Sequence, residues 1–146
     1  MSKRTPNFAR VLGGAAALSP GEIDAILAIG YAMANANGDA SFDELESFRA
    51  LVKHLRSDAS VMETLDALSA RLESAGSAAD LARAAAAELP TPAGREAAYK
   101  AACTIAVFDL ETNEEERDLD DVLVEALGLA DRAGDLELEV NTALST

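Results

Sequence analysis

The sequence predicts an all-α fold, a compact bundle of about seven helices, on three observations. Apolar residues make up 49% of the 146-residue chain, and aromatic residues only 4%. Many of the apolar residues are alanines, which favour helix and let helices approach closely. Capping signals recur along the chain, each followed by apolar residues at three- and four-residue steps. The length is that of one ordinary domain.

The first helix begins at a capping box formed by Ser19 and Glu22, with Pro20 at the first helical position. Its apolar stripe predicts a helix that runs to about Ala36 and stops at the turn signal Asn37-Gly38.

Two similar signals start the next helices. Ser41 and Glu44 form the second capping box, and Ser60 with Glu63 caps the third helix. The buried seams predicted for these two helices are Leu45, Phe48, Val52 and Leu55, then Val61, Leu65, Leu68 and Leu72.

Four more helices are predicted after residue 76. Their start signals are Ser77, Thr91, Thr112 or Asn113, and Asp131. Gly128 is predicted to end the sixth helix in the left-handed conformation. The last helix carries Leu136, Val140 and Leu144 on one face.

The charge divides the chain into two parts. Residues 1–18 hold Lys3, Arg4 and Arg10 and no acid, which predicts a basic, flexible N-terminal arm. Residues 19–146 form the predicted single helical domain. The whole chain has a net charge of −14 and a pI near 4.3, which opposes nucleic-acid binding and favours cations and basic proteins.

Several classes of function lack the residues they need. The only cysteine, Cys103, excludes an internal disulfide and is predicted to be a small core residue. The only histidine, His54, leaves little material for a zinc site or a histidine-based triad. No apolar run approaches the ~20 residues of a membrane span, so direct insertion into a membrane is not expected.

An acidic helix–loop–helix occurs twice, and the copies are 72 residues apart. The first loop reads NGDASFDE at 37–44 and the second DLETNEEE at 109–116. The spacing of charged and apolar residues also agrees in the helices that follow the loops. This duplication predicts two helix pairs about an approximate two-fold axis.

The loop acids are the candidate functional residues. Carboxylate and amide oxygens in loops bind hard cations such as Ca²⁺ or Mg²⁺, although no cofactor is required by the pattern. The candidate ligands are Asn37, Asp39, Asp43, Glu44, Asp109, Glu111, Glu115 and Glu116. An alternative needs no ligand, because carboxylates at helix N-termini are stabilised by free N–H groups and the helix dipole. An EF-hand fits poorly, since Ala40 stands where that loop needs glycine.

Around both loops the chain resembles the tellurite-resistance TerB-like family. The matching segments are AMANANGDASFDELESFRALVKHL at 32–55 and AYKAACTIAVFDLETNEEERDLDDVLVEALGL at 98–129. The chain has Asn37 where the family usually has Asp, and Leu110 where it usually has Gly. The resemblance implies an all-helical, internally pseudo-symmetric domain without enzymatic activity, from bacterial stress and metal-resistance systems. It implies Ca²⁺ ligands at Asn37, Asp39, Glu44, Asp109, Glu111 and Glu116.

These observations predict a cytoplasmic, non-enzymatic binding or scaffold module of a stress-response or metal-resistance system. Its two acidic loops would face divalent cations or basic partners, and the expected partner is a protein, basic or membrane-associated. One alternative is a calcium-responsive regulatory switch, in which ion binding changes the angle between helices. A carboxylate-dependent hydrolase ranks last, because a catalytic acid normally needs burial.

Overall fold

A computed structural model describes residues 8–12, 18–36, 42–56, 60–108 and 114–145. All regular secondary structure in these ranges is helical, which confirms the predicted all-α class. The eight helices are α1 (Phe8–Leu12), α2 (Pro20–Ala34), α3 (Phe42–Leu55), α4 (Val61–Ala75), α5 (Ala78–Ala86), α6 (Pro92–Phe108), α7 (Glu114–Leu127) and α8 (Ala133–Ser145).

Helix α2 lies at the centre of the bundle. It is buried on every side from Ala25 to Ala34, a stretch without a charged residue, and it packs against α3, α4, α5 and α6. The capping box predicted at its start is confirmed. Ser19 Oγ accepts a hydrogen bond from the Glu22 amide at 3.2 Å, and Glu22 Oε1 accepts one from the Ser19 amide at 3.2 Å.

Other predicted helix ends are also confirmed. The Ser60 hydroxyl caps α4 by accepting from the Glu63 amide at 3.3 Å, and the Ser77 hydroxyl caps α5 by accepting from the Asp80 amide at 3.1 Å. Gly128, which follows α7, has a φ of 69°, a left-handed conformation that glycine adopts without steric cost. The caps predicted at Ser41 and at 112–113 lie outside the described residues.

Helix α1, which is additional to the seven predicted helices, lies within the predicted basic arm. Phe8 and Val11 are 2% and 5% exposed and belong to the hydrophobic core. The short helix packs against α3, α6 and α8. This part of the arm is therefore docked on the bundle, because its two large apolar side chains leave water on docking.

The predicted duplication appears in the helix bounds. Helices α2 and α6 begin at Pro20 and Pro92, and α3 and α7 span 42–55 and 114–127, so each pair is offset by 72 residues. The neighbours of the two pairs differ. Helix α3 packs on both α2 and α6, whereas α7 packs mainly on α5 and α6. The repeat therefore holds for the helix pairs and not for everything packed around them.

Helices α2 and α6 approach each other closely and run in the same general direction. Near their starts, Thr91 Oγ1 donates a hydrogen bond to Glu22 Oε2 at 2.5 Å. Further along, a Cβ added to Gly30 would lie 3.2 Å from Ile105 Cδ1 and 2.8 Å from Leu51 Cδ2 of α3. The contacts follow the same order along both helices, which shows that α2 and α6 run in the same direction.

The Glu22 carboxylate joins the starts of α2 and α6. Thr91 Oγ1, which donates to Glu22, also accepts a hydrogen bond from the Gly94 amide at 3.1 Å and so caps α6. The Thr91 hydroxyl, followed by the Ser19 amide, holds the pKa of Glu22 below its ordinary value. The resulting stabilisation is present above the unfolded-state pKa and is lost as pH falls through the lower folded-state pKa.

We expect Gly94→Ala to lower the free energy of unfolding by about 1–2 kcal/mol, because the new methyl group displaces a neighbour. An added Cβ would lie 2.5 Å from Glu22 Oε2, so the carboxylate must leave Thr91. In a Glu22→Ala background the same change should be neutral or stabilising, since alanine exceeds glycine in helix propensity by about 1 kcal/mol. Urea unfolding of the four proteins in this cycle measures the coupling.

The control for this cycle is Gly134→Ala near the start of α8, where an added Cβ meets no atom within 4 Å. It should have the same small effect with and without Glu22. An equal loss from Gly94→Ala in both backgrounds would contradict the proposed role of Glu22.

Candidate functional site

The eight side chains predicted as metal ligands lie outside the part of the structure that is described. Asn37, Asp39, Asp109 and Glu111 lie in segments 37–41 and 109–113, between the described ranges. The other four, Asp43, Glu44, Glu115 and Glu116, lie on α3 and α7, but their side chains are outside the description. The cation site at the two loops therefore stays a prediction.

The second acidic loop leads into a helix with an acidic exposed face. Glu114, Asp118, Asp121 and Glu125 of α7 are all exposed and recur at three- and four-residue steps, which places them on one side of the helix. We call these four residues the α7 ridge. Arg117, also exposed, flanks it.

The basic side chains that form ion pairs within the described ranges pair with acids elsewhere. Arg56 pairs with Asp24, and Arg71 pairs with Glu88 at 2.8 Å. Other pairs are Arg49–Glu46, Arg83–Asp80, Lys100–Glu139 and Arg132 with Glu96, Asp135 and Glu139. These pairs involve acids of other helices or of the arginine's own helix, whereas the four ridge acids are exposed, and Arg83 of α5 lines the same groove as Asp121 and Glu125.

A second group of polar side chains was not anticipated as a site. Cys103 of α6, Asp120 of α7 and Glu137 of α8 bring the sulfur and one oxygen of each carboxylate within 4.8 Å of one another. We call these residues the three-helix cluster. Cys103 is only 8% exposed, Asp120 is partly buried and Glu137 is exposed, so the cluster opens to solvent on the Glu137 side.

Tyr99 supports the three-helix cluster from the interior. It lies one turn before Cys103 on α6, is fully buried, and donates its hydroxyl to Asp120 Oδ1 at 2.8 Å. A buried tyrosine hydroxyl usually requires such a partner. The bond holds the Asp120 carboxylate beside α6 instead of letting it extend into water.

Ion pairs fasten α8 to α6 next to the cluster. Lys100 Nζ lies 2.8 Å from Glu139 Oε1, and Arg132 Nε lies 3.3 Å from Glu96 Oε2. The hydrogen bond and charge of Lys100 hold the pKa of Glu139 below its ordinary value. Buried Leu136 and Val140 anchor α8 in the core.

The environment of the cluster favours the neutral form of every member. Burial, with the nearby Asp120 charge, raises the pKa of the Cys103 thiol to about 12. Burial also raises the pKa of Asp120, and burial together with Asp120 raises the pKa of Glu137. The pKa of Tyr99 is raised, chiefly by burial. A nucleophilic cysteine needs a lowered pKa, so Cys103 is not poised for nucleophilic catalysis at neutral pH.

Sequence reasoning gave partial signals for this cluster. Cys103 is predicted to be a small core residue, and the structure confirms that it is buried. Asp120 follows the second acidic loop in the sequence, and neither Asp120 nor Glu137 is among the ligands that the sequence predicts. The three residues lie on three different helices, so only packing brings them together.

Comparison with family models, curated proteins and solved structures found no match for this chain. The resemblance to the TerB-like family stays a prediction. In the ranges that the structure describes, every helix is too short or too polar to cross a membrane.

We expect the Cys103 thiol to resist modification in the folded protein. At pH 8 a pKa of about 12 instead of 9 lowers the thiolate fraction roughly 1000-fold, and burial slows attack further. Reaction with a chromogenic disulfide reagent should therefore be slow in buffer and fast in urea. Cys103 is the only cysteine, so the signal is unambiguous. Equal rates in buffer and urea would contradict the buried environment.

Proposed function

We propose that this chain is a non-enzymatic binding module that presents the α7 ridge to a basic segment of a partner protein. The observation that carries the proposal is the run of four exposed acids on one face of α7. The resemblance to TerB-like proteins supports a cytoplasmic role in a bacterial stress-response or metal-resistance system.

The length and charge of the ridge suit a basic segment. From Glu114 to Glu125 the ridge extends for roughly 17 Å at 1.5 Å per residue. Charges of one sign along a surface steer oppositely charged partners and give binding that weakens as salt rises. The ridge acids are exposed, which fits electrostatic attraction better than proton transfer by a buried acid.

Divalent cations are the second ligand class in the proposal. The ridge begins at Glu114, within the second acidic segment 109–116, so the predicted Ca²⁺ or Mg²⁺ ligands Asp109 and Glu111 precede the partner surface in sequence. A bound cation there would lower the negative charge that a basic partner meets. Ca²⁺ is therefore expected to weaken binding of a basic peptide, by competition.

A synthetic lysine-rich peptide tests the ridge. We expect Asp118→Lys with Glu125→Lys to weaken peptide affinity about tenfold at low salt, because charge reversal replaces attraction with repulsion. The matched control is Asp66→Lys with Glu73→Lys on α4. These are also an exposed aspartate and an exposed glutamate seven residues apart on a helix, and they change the net charge equally.

The control pair should change affinity by less than about threefold, since it only alters the long-range field. If both pairs weaken binding equally, net charge alone accounts for it and the ridge is not a specific surface. An increase in exposed apolar surface on adding Ca²⁺ would instead favour the calcium-responsive switch.

A further inference from the structure

We infer that Cys103, Asp120 and Glu137 form a binding site for one Zn²⁺ ion. The three side chains come from three helices and place their donor atoms within 4.8 Å of one another. Ligand atoms around a tetrahedral Zn²⁺ lie about 3.5 Å apart, given Zn–S and Zn–O distances of about 2.3 and 2.1 Å. Ion binding therefore requires the three donor atoms to move closer together, and the exposed Glu137 side chain has room to rotate.

The donor set selects the class of metal. A thiolate is a soft ligand that favours Zn²⁺ and similar transition metals, whereas Ca²⁺ and Mg²⁺ prefer oxygen ligands alone. One thiolate and two carboxylates carry three negative charges, which more than balance the double positive charge of the ion. Three protein ligands leave the fourth tetrahedral position for water or for a ligand from a partner.

The position of Cys103 distinguishes this cluster from an ordinary core cysteine. Cys103 is 8% exposed, yet its sulfur lies within 4.8 Å of a carboxylate oxygen of Asp120 and of one of Glu137. A cysteine that only fills space packs among apolar groups. Here a buried sulfur donor faces two oxygen donors, an arrangement that a cation stabilises.

The surroundings provide support and access. The Tyr99 hydroxyl orients the Asp120 carboxylate, as hydrogen-bonded neighbours of metal ligands commonly do. Glu137 lies at the exposed side, which gives the ion an entry path. The site does not depend on the partner surface proposed for the α7 ridge.

Metal titration of the tag-free full chain tests the inference. We expect one Zn²⁺ per chain in competition with a chromogenic chelator, and Co²⁺ should give a thiolate-to-metal charge-transfer band. Cys103→Ser should abolish that band, and Asp120→Asn should weaken Zn²⁺ affinity at least tenfold. Tyr99→Phe should weaken it by about tenfold while keeping the band.

The matched control is Asp66→Asn, which removes the same charge from an exposed position on α4 and should leave Zn²⁺ affinity unchanged. If Cys103→Ser does not fold, Asp120→Asn combined with Glu137→Gln replaces it and should remove binding. The inference is overturned if the native protein binds no Zn²⁺, if the Co²⁺ band survives Cys103→Ser, or if Asp66→Asn weakens binding as much as Asp120→Asn.

Discussion

Helices α2 and α6 pack closely because Gly30 has no side chain. A Cβ at that position would lie 2.8 Å from Leu51 Cδ2 and 3.2 Å from Ile105 Cδ1, so the ends of both side chains would have to shift. At the other end the Glu22 carboxylate fills the space that Gly94 leaves and ties the two helix starts together through Thr91. The pair is thus fixed at two points, by apolar contact and by a shared cap, and the remaining helices pack around it.

This pair sets the position of the polar groups that matter for function. Helix α6 carries Tyr99 and Cys103, and α7 and α8 pack on α6 and bring Asp120 and Glu137 to them. The opposite, solvent-facing side of α7 is left to the acidic ridge. Helix α7 therefore contributes both to the three-helix cluster and to the α7 ridge. Mutations can separate the two, because Asp120 of the cluster is partly buried whereas Asp121 of the ridge is exposed.

The helix starts could be predicted because capping is local: Ser19, Ser60 and Ser77 each act on an amide three residues away. The 72-residue repeat also predicted the two helix pairs, because the signals that start a helix are local. It did not predict that α5 packs beside α7. The three-helix cluster could not be predicted, because its members meet only through packing of distant helices. The single histidine argued against a zinc site. That argument did not consider a mixed set of sulfur and oxygen donors.

Native-state amide hydrogen exchange, measured residue by residue, tests most directly whether the α2–α6 pair is the foundation of the fold. The slowest amides should lie in both α2 and α6 and exchange with one shared free energy equal to that of global unfolding. Helix α4, whose only buried residue is Leu68, should exchange faster by local opening. Exchange of α6 amides through an opening that leaves α2 protected would contradict the account.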